Sequence, residues 1–206
     1  MPTDVEIASN ACVRLGVASF ASFSAGTDAS NACDALYPRV KANLLSRHNW
    51  HFSIAQAQLS REVSTPTAKW SYQFILPADR LGNAPMEIFQ TSSRDALPYK
   101  EWEIVGDKLM SNADTLYCQY VADVDEADMP EYFIELLIKA LMVELCIPLL
   151  GKDSVGMRQS LYAEVWSDMG EFQKAKTADS RNHPPNEYKD FDLLSARHGA
   201  VSPRWA

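Results

Sequence analysis

The sequence predicts an α+β protein: a four-helix bundle, interrupted by a β-rich domain and followed by an extended C-terminal tail. Two changes of hydrophobic period carry that expectation. Apolar residues recur at helical spacing up to about Arg47, alternate with a period of two from Asn49, and return to helical spacing after Asp128. A third observation is the loss of any period after Asp179. The expected units are a helical bundle of residues 1–48 and 127–179, an inserted β domain of residues 49–126, and a tail of residues 180–206.

Thr3-Asp4-Val5-Glu6 reads as a capping box, in which the Thr hydroxyl meets the amide three residues on and the Glu reaches back. Val5, Ala8, Ala11, Cys12 and Leu15 follow on one stripe, and Gly16 stands where a left-handed terminator belongs. A small-residue connector leads to Asp28, the expected cap of a second helix that carries Ala29, Ala32, Cys33, Leu36, Val40 and Leu44 on one face. Pro38 should kink that helix. Trp50, Phe52 and Ile54 then alternate with polar or small residues, which predicts a strand from Asn49.

Further strands are expected at Trp70–Phe74, Glu87–Phe89, Glu101–Val105, Lys108–Met110 and Leu116–Val121. The pair around Gly106-Asp107 reads as a hairpin with a two-residue turn, and the insert totals about five or six strands. Trp50, Trp70, Trp102 and Tyr117 are assigned to its core. Asp128-Met129-Pro130-Glu131 opens a third, largely apolar helix. Lys152-Asp153-Ser154 caps a fourth, with Met157, Leu161, Val165, Met169 and Phe172 on a narrower stripe. Pro184 and Pro185 disfavour helix in the tail. Its Tyr188, Phe191, Leu193, Leu194 and Trp205 are too apolar for a plain linker, and they are the candidate docking residues.

At 206 residues and 47% apolar content the chain can bury a core, and 8 glycines with 11 prolines exclude collagen-like composition. Acidic residues outnumber basic ones, 27 to 19, for a net charge of -8, which argues against a sequence-independent grip on duplex DNA. The cysteines at 12, 33, 118 and 146 form no C-x-x-C pair and are expected to be reduced and interior. The acidic amino terminus lacks a secretory n-region, so synthesis in a cytoplasm is expected. Tyr132–Leu150 has the length of a membrane span but contains Glu135, Lys139 and Glu144, so a buried helix is expected and no membrane contact.

No dinucleotide, serine-hydrolase, zincin or phosphate-loop motif occurs. His48 and His51 straddle a helix-to-strand change without a nearby Cys or carboxylate in sequence, and are read as structural or surface residues. Asp123, Asp125, Glu126 and Asp128 are read as a solvated charge run rather than as a glycosidase pair. No catalytic residue, metal or cofactor is expected.

Three segments carry a family resemblance: Arg47-His48-Asn49-Trp50-His51-Phe52-Ser53 leaving the second helix, Tyr72 to Leu81 with its Leu76-Pro77-Ala78-Asp79 turn, and Met129-Pro130-Glu131-Tyr132-Phe133 opening the third. In this order, with Tyr120-Val121 before an acidic stretch, the chain over residues 3–180 resembles the tail tubular protein A family of short-tailed phages. It departs from the family pattern at His51, where Asn is favoured, and in its tail after Asp179.

The resemblance implies a virion protein of the tail and neck, assembled in the host cytoplasm, that forms a ring of about twelve copies between portal and tail nozzle. Its partners would be the portal protein, the nozzle protein and further copies of itself. DNA would pass through the ring without specific binding, along a lumen whose acidic residues repel it. Two alternatives remain at this point. One is a tail-associated enzyme that degrades polysaccharide through paired carboxylates, and the other is a scaffold or binding module unrelated to phage.

Overall fold

The computed structural model describes residues 2–182, apart from 65, 67, 68, 83, 94 and 95. Its first helix, α1 (Asp4–Arg14), starts on the Thr3 capping box: the Glu6 amide donates to the Thr3 hydroxyl and the Thr3 amide donates to the Glu6 carboxylate at 2.8 Å. Leu15 closes the helix and Gly16 follows at φ +80°. The second helix, α2 (Asp28–Ser46), is capped by Thr27 and not by the expected Asp28. Thr27 exchanges hydrogen bonds with Ser30, whose hydroxyl does the work usually given to Glu or Gln three residues into a helix. The helix runs through Pro38 without a break.

The strand expected from Asn49 starts later. His51–Ser53 form a 3-10 turn, and β1 (Ile54–Gln58) begins after it. Trp50 is the physical reason: its side chain is 0% exposed, its indole nitrogen donates to the Leu44 carbonyl at 2.9 Å, and its ring meets those of Phe133 and Phe172 edge-on. Burial of so large a ring outweighs a local alternation. Trp50 therefore belongs to the helical core, which corrects its assignment to the sheet core. Trp70 is corrected as well, since it lies half-buried at the surface with the Lys69 ammonium over its ring and its indole nitrogen donating to Glu103. Trp102 does pack against the sheet core.

The remaining strands are β2 (Ser60–Arg61), β3 (Tyr72–Ile75), β4 (Glu87–Phe89), β5 (Trp102–Val105), β6 (Lys108–Ser111) and β7 (Tyr117–Val121). They form two antiparallel sheets, ordered β1-β7-β4 and β2-β3-β6-β5. The β5–β6 hairpin turns at Gly106-Asp107 as expected, with Gly106 at φ +68°. Phe74, Ile88, Leu109 and Leu116 fill the space between the sheets.

Asp128 does not cap the third helix. It sits in a 3-10 turn, and α3 (Glu131–Leu150) starts after Pro130, because a residue preceding proline is forced into extended backbone and Met129 adopts it at ψ 129°. α3 packs against α1, α2, α4 and α5. Two of its charged residues are paired at the rim: Glu135 takes a bidentate bond from Arg14 at 2.6 and 2.9 Å, and Lys139 reaches Glu164 and Glu171.

The expected fourth helix is two helices, α4 (Val155–Trp166) and α5 (Glu171–Ser180). A 3-10 turn over Lys152–Ser154 precedes α4 and supplies no side-chain cap. The chain bends at Gly170, where a Cβ would stand 2.6 Å from the Val165 carbonyl oxygen. Bending removes Met169 from the expected stripe and leaves it 87% exposed, while Val165 stays buried. The body also continues past Asp179, since Ser180 lies in α5 and the Asn182 amide donates to Tyr132. Helices and antiparallel sheets thus form an α+β protein, and no helix among the described residues is long and apolar enough to cross a membrane.

Candidate functional site

The residues expected to dock the tail, Tyr188, Phe191, Leu193, Leu194 and Trp205, lie outside the described residues. Within them, groups far apart in sequence converge at the end of the described residues, around the last turn of α5. Asp179, in the last turn of α5, is the one fully buried carboxylate among the described residues, at 0% exposure. It accepts the His51 backbone amide at 3.1 and 3.2 Å, the Tyr132 hydroxyl at 2.7 Å and a 2.7 Å contact with His51 Nδ1. His48 Nε2 stands 4.0 Å away.

Three elements are tied here. His51 marks the crossing from α2 to the sheets, Tyr132 is in the first turn of α3, and Asp179 ends α5. Burial and the neighbouring carboxylate push the Tyr132 hydroxyl up, so it stays protonated and donates. Burial, with Lys176 nearby, holds His48 below its ordinary value against the pull of Asp179. The carboxylate's acceptor positions are filled, so the junction orients the chain end.

The acidic stretch after β7 is tied to α2 through two of its carboxylates. Lys41 of α2 bridges Asp123 and Glu126 at 3.1 Å each, and the Tyr37 hydroxyl donates to Glu126 at 3.0 Å. Burial alone would raise the Glu126 carboxyl. Hydrogen bonds from its own backbone amide, Lys41 and Tyr37 outweigh burial and hold it below the usual range. Asp123 and Glu126 thus tie α2 to the stretch after β7, while Asp123, Asp125 and Asp128 are exposed, in keeping with a solvated charge run.

A second anchor of the sheets is the turn after β3. Asp79 accepts the Tyr120 hydroxyl at 3.1 Å through both oxygens, and burial first, then this carboxylate, push that hydroxyl up to about 12. The Asp79 carbonyl accepts the Asp123 amide at 2.7 Å. The Leu76-Pro77-Ala78-Asp79 segment is thus a joint between the sheets and the acidic stretch.

The outer surface offers one element the body leaves mostly uncovered. Of the twelve residues of α4 only Val165 is buried, whereas Val155, Met157 and Tyr162 are exposed, Tyr162 at 52%. Sequence spacing had assigned Met157 to the core stripe, and no local signal separates an exposed Met from a buried one at the same period. Among the described residues no cluster of three or more His, Cys, Asp or Glu could hold a metal ion. No family model matches the chain, and no match is found among curated proteins.

Proposed function

We propose that the chain is a structural adaptor of a short-tailed phage virion. It forms a ring of about twelve copies between portal and tail nozzle and lines part of the DNA conduit without gripping the DNA. The observation that carries this reading is α4, a helix of twelve residues with one buried side chain, on which Val155 and Met157 are exposed at 44% and 42%. A monomeric helix stays soluble with a polar outer face, and large apolar side chains there mark contact with another molecule. On this reading α1, α2 and α3 form a four-helix bundle with the α4–α5 pair in the fourth position, and the tail follows it. The clamped sheet domain supports the same use, because wall segments of a tube must hold their angle to the contact helices.

Support for the polysaccharide-cleaving alternative is weaker. A basin of about 570 Å³ over the β1-β7-β4 sheet is lined among the described residues by one carboxylate, Glu87, where glycoside hydrolysis needs two. The test is to mix the protein with portal rings of a short-tailed phage from the same host and image the product by electron microscopy. A symmetric collar on the portal is the expected result. A chain that stays monomeric with every portal offered overturns the proposal.

A further inference from the structure

A groove of about 310 Å³ runs between α2, α3 and α4. Its floor on α2 is the row Leu36, Val40 and Leu44, spaced by four, and its near rim is the parallel row Arg39, Asn43 and Arg47. Tyr162 and Trp166, also four apart, form the far rim on α4. Arg47 lies over the Trp166 ring at 4.2 Å and donates to Asn43 at 2.7 Å. Neither Arg39 nor Arg47 has a carboxylate partner among the described residues, although the protein carries a charge of -8. The groove's own carboxylate, Glu144, stands 3.8 Å from Arg158.

The groove thus combines an apolar floor with a cationic edge, and it fits an extended segment that alternates acid and apolar residues. One such segment exists in the chain, Asp190-Phe191-Asp192-Leu193-Leu194. In extended backbone successive side chains point to opposite sides, so Asp190 and Asp192 share one side and Phe191 and Leu193 the other. We propose that this segment docks into the groove of its own molecule, acids against Arg39 and Arg47, apolar side chains on the Leu36–Leu44 floor.

Reach permits it. The described body ends at Asn182, whose amide bonds Tyr132 at 3.3 Å. From Tyr132 the rings of Trp50, Phe172 and Trp166 follow at steps of 6.5, 5.9 and 5.2 Å, so the groove opens close to the tail's origin. The eight residues from Asn182 to Asp190 span up to about 26–29 Å. The inference stands whether or not the chain is a phage adaptor. On the adaptor reading, it keeps the docking residues on their own subunit until a partner competes for them.

The test uses the full chain and chymotrypsin, which cleaves after Phe191 when that bond is accessible. With a Kd of a few hundred μM for the segment and millimolar effective concentration, docking slows cleavage about fivefold. R39E/R47E and D190R/D192R should each lose that protection; R39E/R47E also gives up the Arg47–Trp166 contact and should melt slightly lower, whereas D190R/D192R should melt nearly like the parent. The fourfold charge exchange should restore it. Equal cleavage rates in all four proteins overturn the proposal. Protection that fades on dilution, with dimers in sedimentation, overturns docking within one molecule and assigns the groove to a second copy.

Discussion

Asp179 and His51 lie 128 residues apart and share a 2.7 Å contact through the carboxylate and Nδ1, with the His51 backbone amide on the same group. The contact joins the end of α5 to the segment that follows α2, across all seven strands. Removing the fully buried carboxylate takes away the acceptor that the His51 amide and the Tyr132 hydroxyl share. Asp179→Ala should therefore cost about 2–4 kcal/mol, and Tyr132→Phe, which removes one donor, about 1 kcal/mol. Urea denaturation of both variants measures this. An Asp179→Ala loss below about 0.5 kcal/mol would show that the junction holds nothing.

A pH dependence follows from His48. Its folded-state affinity for a proton is lowered from the ordinary 6.5, first by burial, then by Lys176 and His51, with Asp179 opposing. Between the lowered value and 6.5 the unfolded chain binds more protons, so stability falls as pH drops through that window. His48→Gln should flatten the slope below pH 6.5 and leave stability at pH 8 nearly unchanged. A slope identical in parent and variant would assign the acid sensitivity to other groups.

Two glycines should respond in opposite directions. A Cβ at Gly170 would meet the backbone oxygens of Val165 and Glu164 at 2.6 and 2.7 Å, so Gly170→Ala should destabilise by about 1–3 kcal/mol. Gly156 sits inside α4 with nothing within 4 Å of the same atom, so Gly156→Ala should stabilise by about 0.5–1 kcal/mol. Thermal melts of the pair check the bend between α4 and α5 directly.

The reading of the sequence worked where the signal was local. The Thr3 capping box, the Gly16 terminator and the Gly106-Asp107 hairpin are each set by a few adjacent residues, and the structure contains all three. It failed where a distant partner decided. Trp50 sits in an alternating run, yet the rings of Phe133 and Phe172, from helices on the far side of the insert, draw it out of the strand. Asp179 looked like the last charge before an unpatterned tail. Its burial depends on His51 and Tyr132, and no period or spacing links the three.

A truncation tests the role of the C-terminal segment. Because Ser180 is helical and Asn182 bonds Tyr132, truncation should follow Asn182 and not Asp179. Removing residues 183–206 should change stability by less than about 1 kcal/mol, since a segment docked with about fivefold protection contributes little. Attachment to portal rings should be lost. If stability falls by several kcal/mol and attachment survives, Tyr188, Phe191, Leu193, Leu194 and Trp205 complete the chain's own core.

The exposed apolar residues of α4 give the final prediction, which separates a contact role from a structural one. Val155 and Met157 are exposed at 44% and 42%, so Val155→Glu and Met157→Glu together should leave the melting temperature almost unchanged. If these side chains meet neighbouring copies, each Glu would be desolvated on assembly and ring formation on the portal should fail. Salt adds an independent check. A charge of -8 on every copy opposes association of the free protein, and that repulsion is screened over roughly 10 Å at 0.1 M salt and 3 Å at 1 M. Sedimentation should therefore show self-association of the parent rising with salt, and the Glu pair should stay monomeric throughout. Parent rings that form equally at low salt without a portal would remove charge as the brake. A Glu variant that assembles like the parent would move the contact off α4.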